Sequence, residues 1–281
     1  MKKIAFLSLV ACVSLFGKPL VTTTILPTKY FVEQIVGDEV EVEALVLKGS
    51  NPVTYEVKPS QMKSVERSDL HFSVGVEFDR VSLVKLQNQF PSLKVVDTGR
   101  GIEKIAMASH HHGGDKQHNH RLDPHIWLDP VLVKTQAENI AEALIKEYPE
   151  KKELFESNLA KFKDKLDEFD KATAEKLKEL KTNKFMIYHP SWGYFSKRYG
   201  LVQIPIEMEG KEPKPADLKK LTEEAKKEDI RVIFISPQFS QKSAKAIAEQ
   251  TGTKVVEIDQ LPEEWFSEMK KIVDIFVENL K

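Results

Sequence analysis

From Pro149 to Lys181 the chain reads PEKKELFESNLAKFKDKLDEFDKATAEKLKELK, with no glycine and no internal proline. Phe155, Leu159, Phe162, Leu166, Phe169, Thr173, Leu177 and Leu180 recur along it at spacings of three or four, with charges between them. That pattern predicts one amphipathic helix of about thirty residues, about 45–50 Å long at about 1.5 Å per residue. A coiled-coil seam would ask for a longer run. The apolar stripe is therefore expected to pack across the lobes on either side of it.

Both flanks alternate strands with helices. LVTTTIL (Leu20 to Leu26) is a β-branched run closed by Pro27, and Thr28 is expected to cap a helix reaching Val36, stopped by Gly37-Asp38. EVEVEALVL, LHFSVG and LKVVD read as further strands, separated by helices over Ser60 to Arg67 and Arg80 to Gln89. Beyond Lys181, FMIYH, LVQIPIE, RVIFIS and KVVEID alternate with SWGYFSKRYG, Ala216 to Lys227, Gln241 to Gln250 and Glu263 to Leu280. Alternation at this spacing is the signature of parallel βαβ units. The expected architecture is α/β, with two parallel-sheet lobes, 18–148 and 182–281, bridged by the rigid helix 149–181. Such a connector should let the cleft between the lobes move only modestly.

The start, MKKIAFLSLVACVSLFGKP, has two lysines, an apolar run from Ile4 to Phe16 and then Gly17. This is the layout of a secretory signal peptide over residues 1–17, short for a membrane span. Cys12, the single cysteine, lies inside it, and Leu9 to Cys12 resembles a lipoprotein cleavage box. Because Val13 to Phe16 stay apolar, cleavage near Gly17 is preferred to lipid anchoring at Cys12. Either route puts the mature chain in the periplasm, without a disulfide. Forty-two basic residues against forty-three acidic ones give no global charge to attract nucleic acid or a membrane surface. A monomer is expected.

Six of the eight histidines lie in HHHGGDKQHNHRLDPHIWLDP, His110 to Pro130. From residue 98 to 123 apolar periodicity disappears, so His110, His111, His112, His118 and His120 sit in a polar loop. His125 differs. It stands between that loop and Asp129-Pro130, which reads as a helix cap followed by a first-turn proline. His189 ends the strand FMIY, and Asp259 ends the strand KVVEI. Ligands of parallel α/β sheets bind at the carboxyl ends of strands, so these three would face one another across the cleft. Two imidazoles and a carboxylate suit Zn(II), and also Mn(II) or Fe(II). Taken singly, each has a plainer role as a hydrogen-bonded strand-end or turn residue. His71, within LHFSVG, is expected to be a core or near-surface strand residue.

The stretches TTTILPTKYFVEQIVGD, GSNPVTYEVKPSQM, DPHIWLDP, YHPSWGYFSKRYGL, EPKPADLKKL, VIFISPQFS and EIDQL, in that order, resemble the zinc and manganese solute-binding proteins of bacterial ABC transporters, the cluster A-I family. The resemblance covers essentially the whole mature chain. It implies two lobes bridged by the long helix and a metal buried between them. It also implies delivery to a membrane permease with its cytoplasmic ATPase. Carried over by position, the family's ligands fall on His125, His189 and Asp259. A histidine at the second of these is the zinc-type choice.

One ligand is missing. Where the family's loop reads GxxPHxYEPxPS, this chain has GSNPVTYEVKPS, with Val53 in the histidine's place; Ser236 likewise replaces a common glutamate. Three arrangements could follow. Water could complete a site of His125, His189 and Asp259. A loop histidine or Glu56 could substitute. High-affinity binding could have been lost altogether. The loop histidines are expected to bind zinc weakly as auxiliaries, concentrating or sensing the metal. The expected function is a non-enzymatic extracytoplasmic zinc carrier. The alternatives are a manganese or iron carrier, a metal chaperone and, from another class, a zinc metallohydrolase.

Overall fold

The computed structural model describes residues 17–108, 121–208 and 210–281. The expected leader up to residue 16, with Cys12, lies outside the described residues. So do His110, His111, His112, His118 and His120.

The first lobe runs β1 (Leu20–Thr23), α1 (Leu26–Val36), β2 (Glu41–Ala44), α2 (Pro59–Arg67), β3 (Leu70–Ser73), a π-helical turn, α3 (Val84–Gln89) and β4 (Lys94–Asp97). Its four strands are all parallel, in the order β2-β1-β3-β4. The residue types explain that order. LVTT and LHFS are buried along their whole length and take the centre, whereas the charged EVEA and KVVD take the edges. Thr28 does not cap α1. Pro27 already occupies the first turn, so the helix begins at Leu26 and leaves Thr28 buried inside it.

Asp129 does cap the next helix, α4 (Pro130–Glu147). Its Oδ1 accepts the N–H of Val131 at 2.8 Å and of Leu132 at 3.2 Å. A 3-10 turn at Pro149–Lys151 then leads into α5 (Lys152–Leu177). At 26 residues, about 39 Å, α5 is shorter than its sequence pattern suggested. Its end is set by tertiary bonding, because the N–H groups of Lys181 and Thr182 turn to the carbonyl of Leu280 at 2.9 and 3.1 Å.

The second lobe contains β5 (Lys184–Ile187), α6 (Gly193–Tyr199), β6 (Val202–Pro205), α7 (Pro215–Lys227), β7 (Val232–Ile235), α8 (Lys242–Thr251), β8 (Lys254–Glu257) and α9 (Trp265–Leu280). Its parallel order, β6-β5-β7-β8, repeats the wiring of the first sheet.

The expected stripe of α5 is buried through Phe155, Phe162, Leu166, Phe169, Thr173 and Leu177. Phe162 lies 5.9 Å from Phe31 of α1, and Phe169 lies 5.2 Å from Trp265 of α9. A second helix also spans the molecule. The start of α9 sets Trp265 5.8 Å from Phe31, while farther along Phe276 packs on Phe185 and Phe234 of the second sheet. One continuous apolar core therefore runs through both lobes, with a smaller cluster on the far face of the second sheet. Two indoles tie the lobes reciprocally. Trp127 Nε1 donates to the Gln260 carbonyl at 2.7 Å, and Trp265 Nε1 donates to the Trp127 carbonyl at 2.8 Å. Among the described residues, no helix is long and apolar enough to cross a membrane.

Candidate metal centre

His125 opens a 3-10 turn at Ile126–Leu128, in the segment that returns from the polar loop to α4. Both its backbone N–H and its ring are held by Asp123. Oδ1 accepts the N–H at 2.9 Å and lies 2.7 Å from Nδ1. The ring is 5 % exposed and 5.0 Å from that of Trp127. His189 sits just past β5, stacked on Phe239 at 4.4 Å, with Nδ1 3.0 Å from Glu207 Oε2 just past β6.

A carboxylate on each Nδ1 keeps a proton there and leaves Nε2 as a lone-pair donor, the tautomer a metal-binding imidazole needs. Burial lowers the pKa of His125, against the raising influence of Asp123, so this ring stays neutral near pH 7. The two Nε2 atoms, one from each lobe, face each other at 3.3 Å. A tetrahedral ion with bonds of about 2.0–2.1 Å holds its ligand atoms about 3.3–3.4 Å apart.

The cavity at this pair is lined from the first lobe by Asn51, Pro52, Val53 and Glu77, and from the second by Phe239, Gln260 and Leu261. Val53 is 51 % exposed at the lip. Its N–H is tied to Asn51 Oδ1 at 2.8 Å. Glu56 is exposed and does not line the cavity. Met107 and Arg121, which flank residues 109–120, do line it, and the Ala106–Leu122 bridge pairs the chain on either side of that segment.

Asp259 is not brought to the two imidazoles. Its Oδ1 accepts Gln238 Nε2 at 2.6 Å and the Leu261 N–H at 2.8 Å. No group of three or more His, Cys, Asp or Glu poised for a metal occurs among the described residues. Ser236, just past β7, is buried with its Oγ unpartnered.

His71 lies elsewhere, fully buried in β3. Thr22 and Thr24 hydroxyls meet Nδ1 and Nε2, each at 3.0 Å. Thr24 donates in turn to Asp79, whose other oxygen accepts the N–H groups of Val74, Gly75 and Val76 at 3.0, 2.7 and 3.2 Å. Thr24 Oγ1 gives its own proton to Asp79, so it receives Nε2–H and leaves Nδ1 as the acceptor. This chain of bonds fixes the segment that presents Glu77 to the cavity.

Asp123, Glu207 and Gln260 were not among the residues expected at the site. Asp123 was detectable two places before His125, in DPH. Glu207, just past the strand end in IPIE, had only its position to mark it.

The model of a family described as the periplasmic component A of the zinc-uptake complex, ZnuA, matches residues 21–280. The chain belongs to this family. Among its relatives, the zinc-binding lipoprotein AdcA of Streptococcus pneumoniae (strain ATCC BAA-255 / R6) is 31% identical over 276 residues, which cover 94% of this chain and 55% of that protein. The high-affinity zinc uptake system protein ZnuA of Bacillus subtilis (strain 168) is 30% identical over 272 residues, covering 92% and 85%. This chain thus spans about half the length of the AdcA relatives. A crystal structure of a ZnuA superposes with a TM-score of 0.87 at 36% identity, covering 94% of this chain and all of that one. The Zn(II)-bound ZnuA-like domain of S. pneumoniae AdcA superposes at 0.76, with 28% identity and coverage of 94% and 99%. The two-lobed fold with its long helix is the fold of these family members.

Proposed function

We propose that this chain is an extracytoplasmic carrier that captures Zn(II) between its lobes and delivers it to the permease and cytoplasmic ATPase of an ABC importer. The observation that carries the reading is the 3.3 Å separation of His125 Nε2 and His189 Nε2, the edge of a zinc tetrahedron. Each ring is already aimed by a carboxylate on its far nitrogen. The names of the ZnuA and AdcA relatives agree with zinc as the cargo.

Asp259 is proposed as the third donor, turning from Gln238 toward the ion once it enters; with Val53 unable to coordinate, water takes the fourth position. His110, His111, His112, His118 and His120 act as weak auxiliaries that raise local zinc without forming this site. Residues 1–17 serve as the export signal, and the mature chain works in the periplasm. A carrier is favoured over a hydrolase by the fate of the carboxylates. Asp123 and Glu207 are both engaged with imidazole nitrogens, and Glu77, which also lines the cavity, is paired with Arg80 and Arg121, so each of these carboxylates is committed elsewhere than to a general base for an attacking water.

Calorimetric titration of the purified chain with zinc, manganese and cobalt tests the reading. One tight zinc site is expected, lost in both His125→Ala and His189→Ala. Retention of that site in either variant would place the metal elsewhere.

A further inference from the structure

Gln260 is 2 % exposed, lines the same cavity as His125 and His189, and has a buried Oε1 with no hydrogen-bond partner. Buried acceptors are normally satisfied, and one left without a donor beside a candidate metal position marks a missing partner. The backbone here is held firmly. The Gln260 carbonyl receives the Trp127 indole, itself fixed by its carbonyl's bond from the Trp265 indole.

The surroundings narrow what that partner can be. Val53, Trp127, Phe239 and Leu261 present hydrocarbon to the cavity, Arg121 there is paired with Glu77, and Val53 stands at the position where the family resemblance implies a histidine. A zinc ion with three protein donors keeps a water in the fourth position. Zinc polarises that water, making its O–H a strong donor. A carboxamide oxygen is a neutral acceptor with two lone pairs and suits such a donor without adding charge. Resting on the zinc-carrier reading, we propose that Gln260 is a positioning residue. Its side-chain oxygen accepts a hydrogen bond from the metal-bound water that replaces the ligand absent at Val53.

The test uses the full mature chain loaded with zinc, or with cobalt as a spectroscopic substitute. Gln260→Leu should weaken zinc binding about 10–100-fold, the size of outer-shell losses. It should also move the pH at which the visible spectrum of the cobalt form changes, because that transition follows deprotonation of the bound water. Gln260→Glu keeps an acceptor and should bind at least as tightly as the parent chain. If it does so while Gln260→Leu is weakened, the loss comes from the acceptor rather than from damaged packing. Parental affinity and an unshifted cobalt transition in Gln260→Leu would overturn the proposal, as would equal weakening in both variants. His125→Ala separates the two levels. If it binds as the parent does, the carrier site itself is misplaced; if it fails while Gln260→Leu is normal, only the role of Gln260 falls.

Discussion

Gly193 of the second lobe lies so close to Asp123 of the first that a Cβ built on it would stand 2.6 Å from the Asp123 Oδ2 atom. The next residue joins the same contact, since Tyr194 donates its hydroxyl proton to the Asp123 carbonyl at 2.8 Å. Asp123 orients His125, so the start of α6 acts on the proposed metal site from the opposite lobe. Gly193→Ala should push the carboxylate off the imidazole and weaken zinc binding by about 10-fold or more, the range of outer-shell losses. Calorimetry beside a thermal melt would check this, and an unchanged affinity would show that the carboxylate has room to move.

Glu207 makes the matching contact to His189 from within its own lobe. Glu207→Gln keeps the shape and removes the charge, so the ring loses its strongest reason to hold a proton on Nδ1. A fall in zinc affinity of about 10–100-fold is expected, with far-ultraviolet circular dichroism unaltered. Competition against a chromogenic chelator measures it.

His71 makes stability depend on pH. Complete burial pushes its pKa from 6.5 down to about 3 in the folded chain. Above pH 6.5 the ring is neutral folded or unfolded, and its burial contributes in full. As the pH falls below 6.5 the unfolded chain takes up a proton that the folded chain refuses until about pH 3. Stability should decline across that window by up to about 1.4 kcal/mol per pH unit. Asp79, in the same network, is raised by burial and works in the opposite direction, so comparison with His71→Gln isolates the histidine. Urea unfolding between pH 7 and pH 4 should show a steeper loss in the parent than in the variant.

Val53→His restores an imidazole at the lip of the cavity. Zinc affinity should rise by about 10-fold or more, since regaining a ligand is worth no less than regaining an outer-shell contact. Stability without metal should change little, because Val53 is half exposed and its anchoring bond to Asn51 uses the backbone N–H. A titration with no gain would mean that the loop at Asn51–Val53 stands too far from the ion.

Much of the architecture was legible because it rests on local pattern. Asp129-Pro130 announced a cap, and it caps α4. The apolar spacing of Phe155 through Leu177 announced the buried stripe of α5, although the helix stops at Leu177 where bonding to α9 takes over. Thr28 misled because its composition suits a cap while Pro27 moves the helix start forward. The boundary between the polar loop and the Asp129-Pro130 cap marked His125, and a strand end marked His189. Their alignment depends on Asp123, two residues from His125, and on Glu207 and Gly193, whose parts are set by tertiary contacts between separate segments. Asp259 shows the same limit from the other side: a strand end located it, but Gln238 decides where its carboxylate points.

The crossed indole bonds of Trp127 and Trp265, set in a core that passes through both sheets, have a consequence for exchange. A body tied in this way should open only modestly as a jaw. For the ion it is proposed to carry, entry and exit become a matter of surface segments breathing around a fixed frame, so residence time should be set by how often the short, exposed stretch at Val53 lifts. A receptor that grips that segment would then act as a catalyst of dissociation, hastening release while the rest of the carrier keeps its shape.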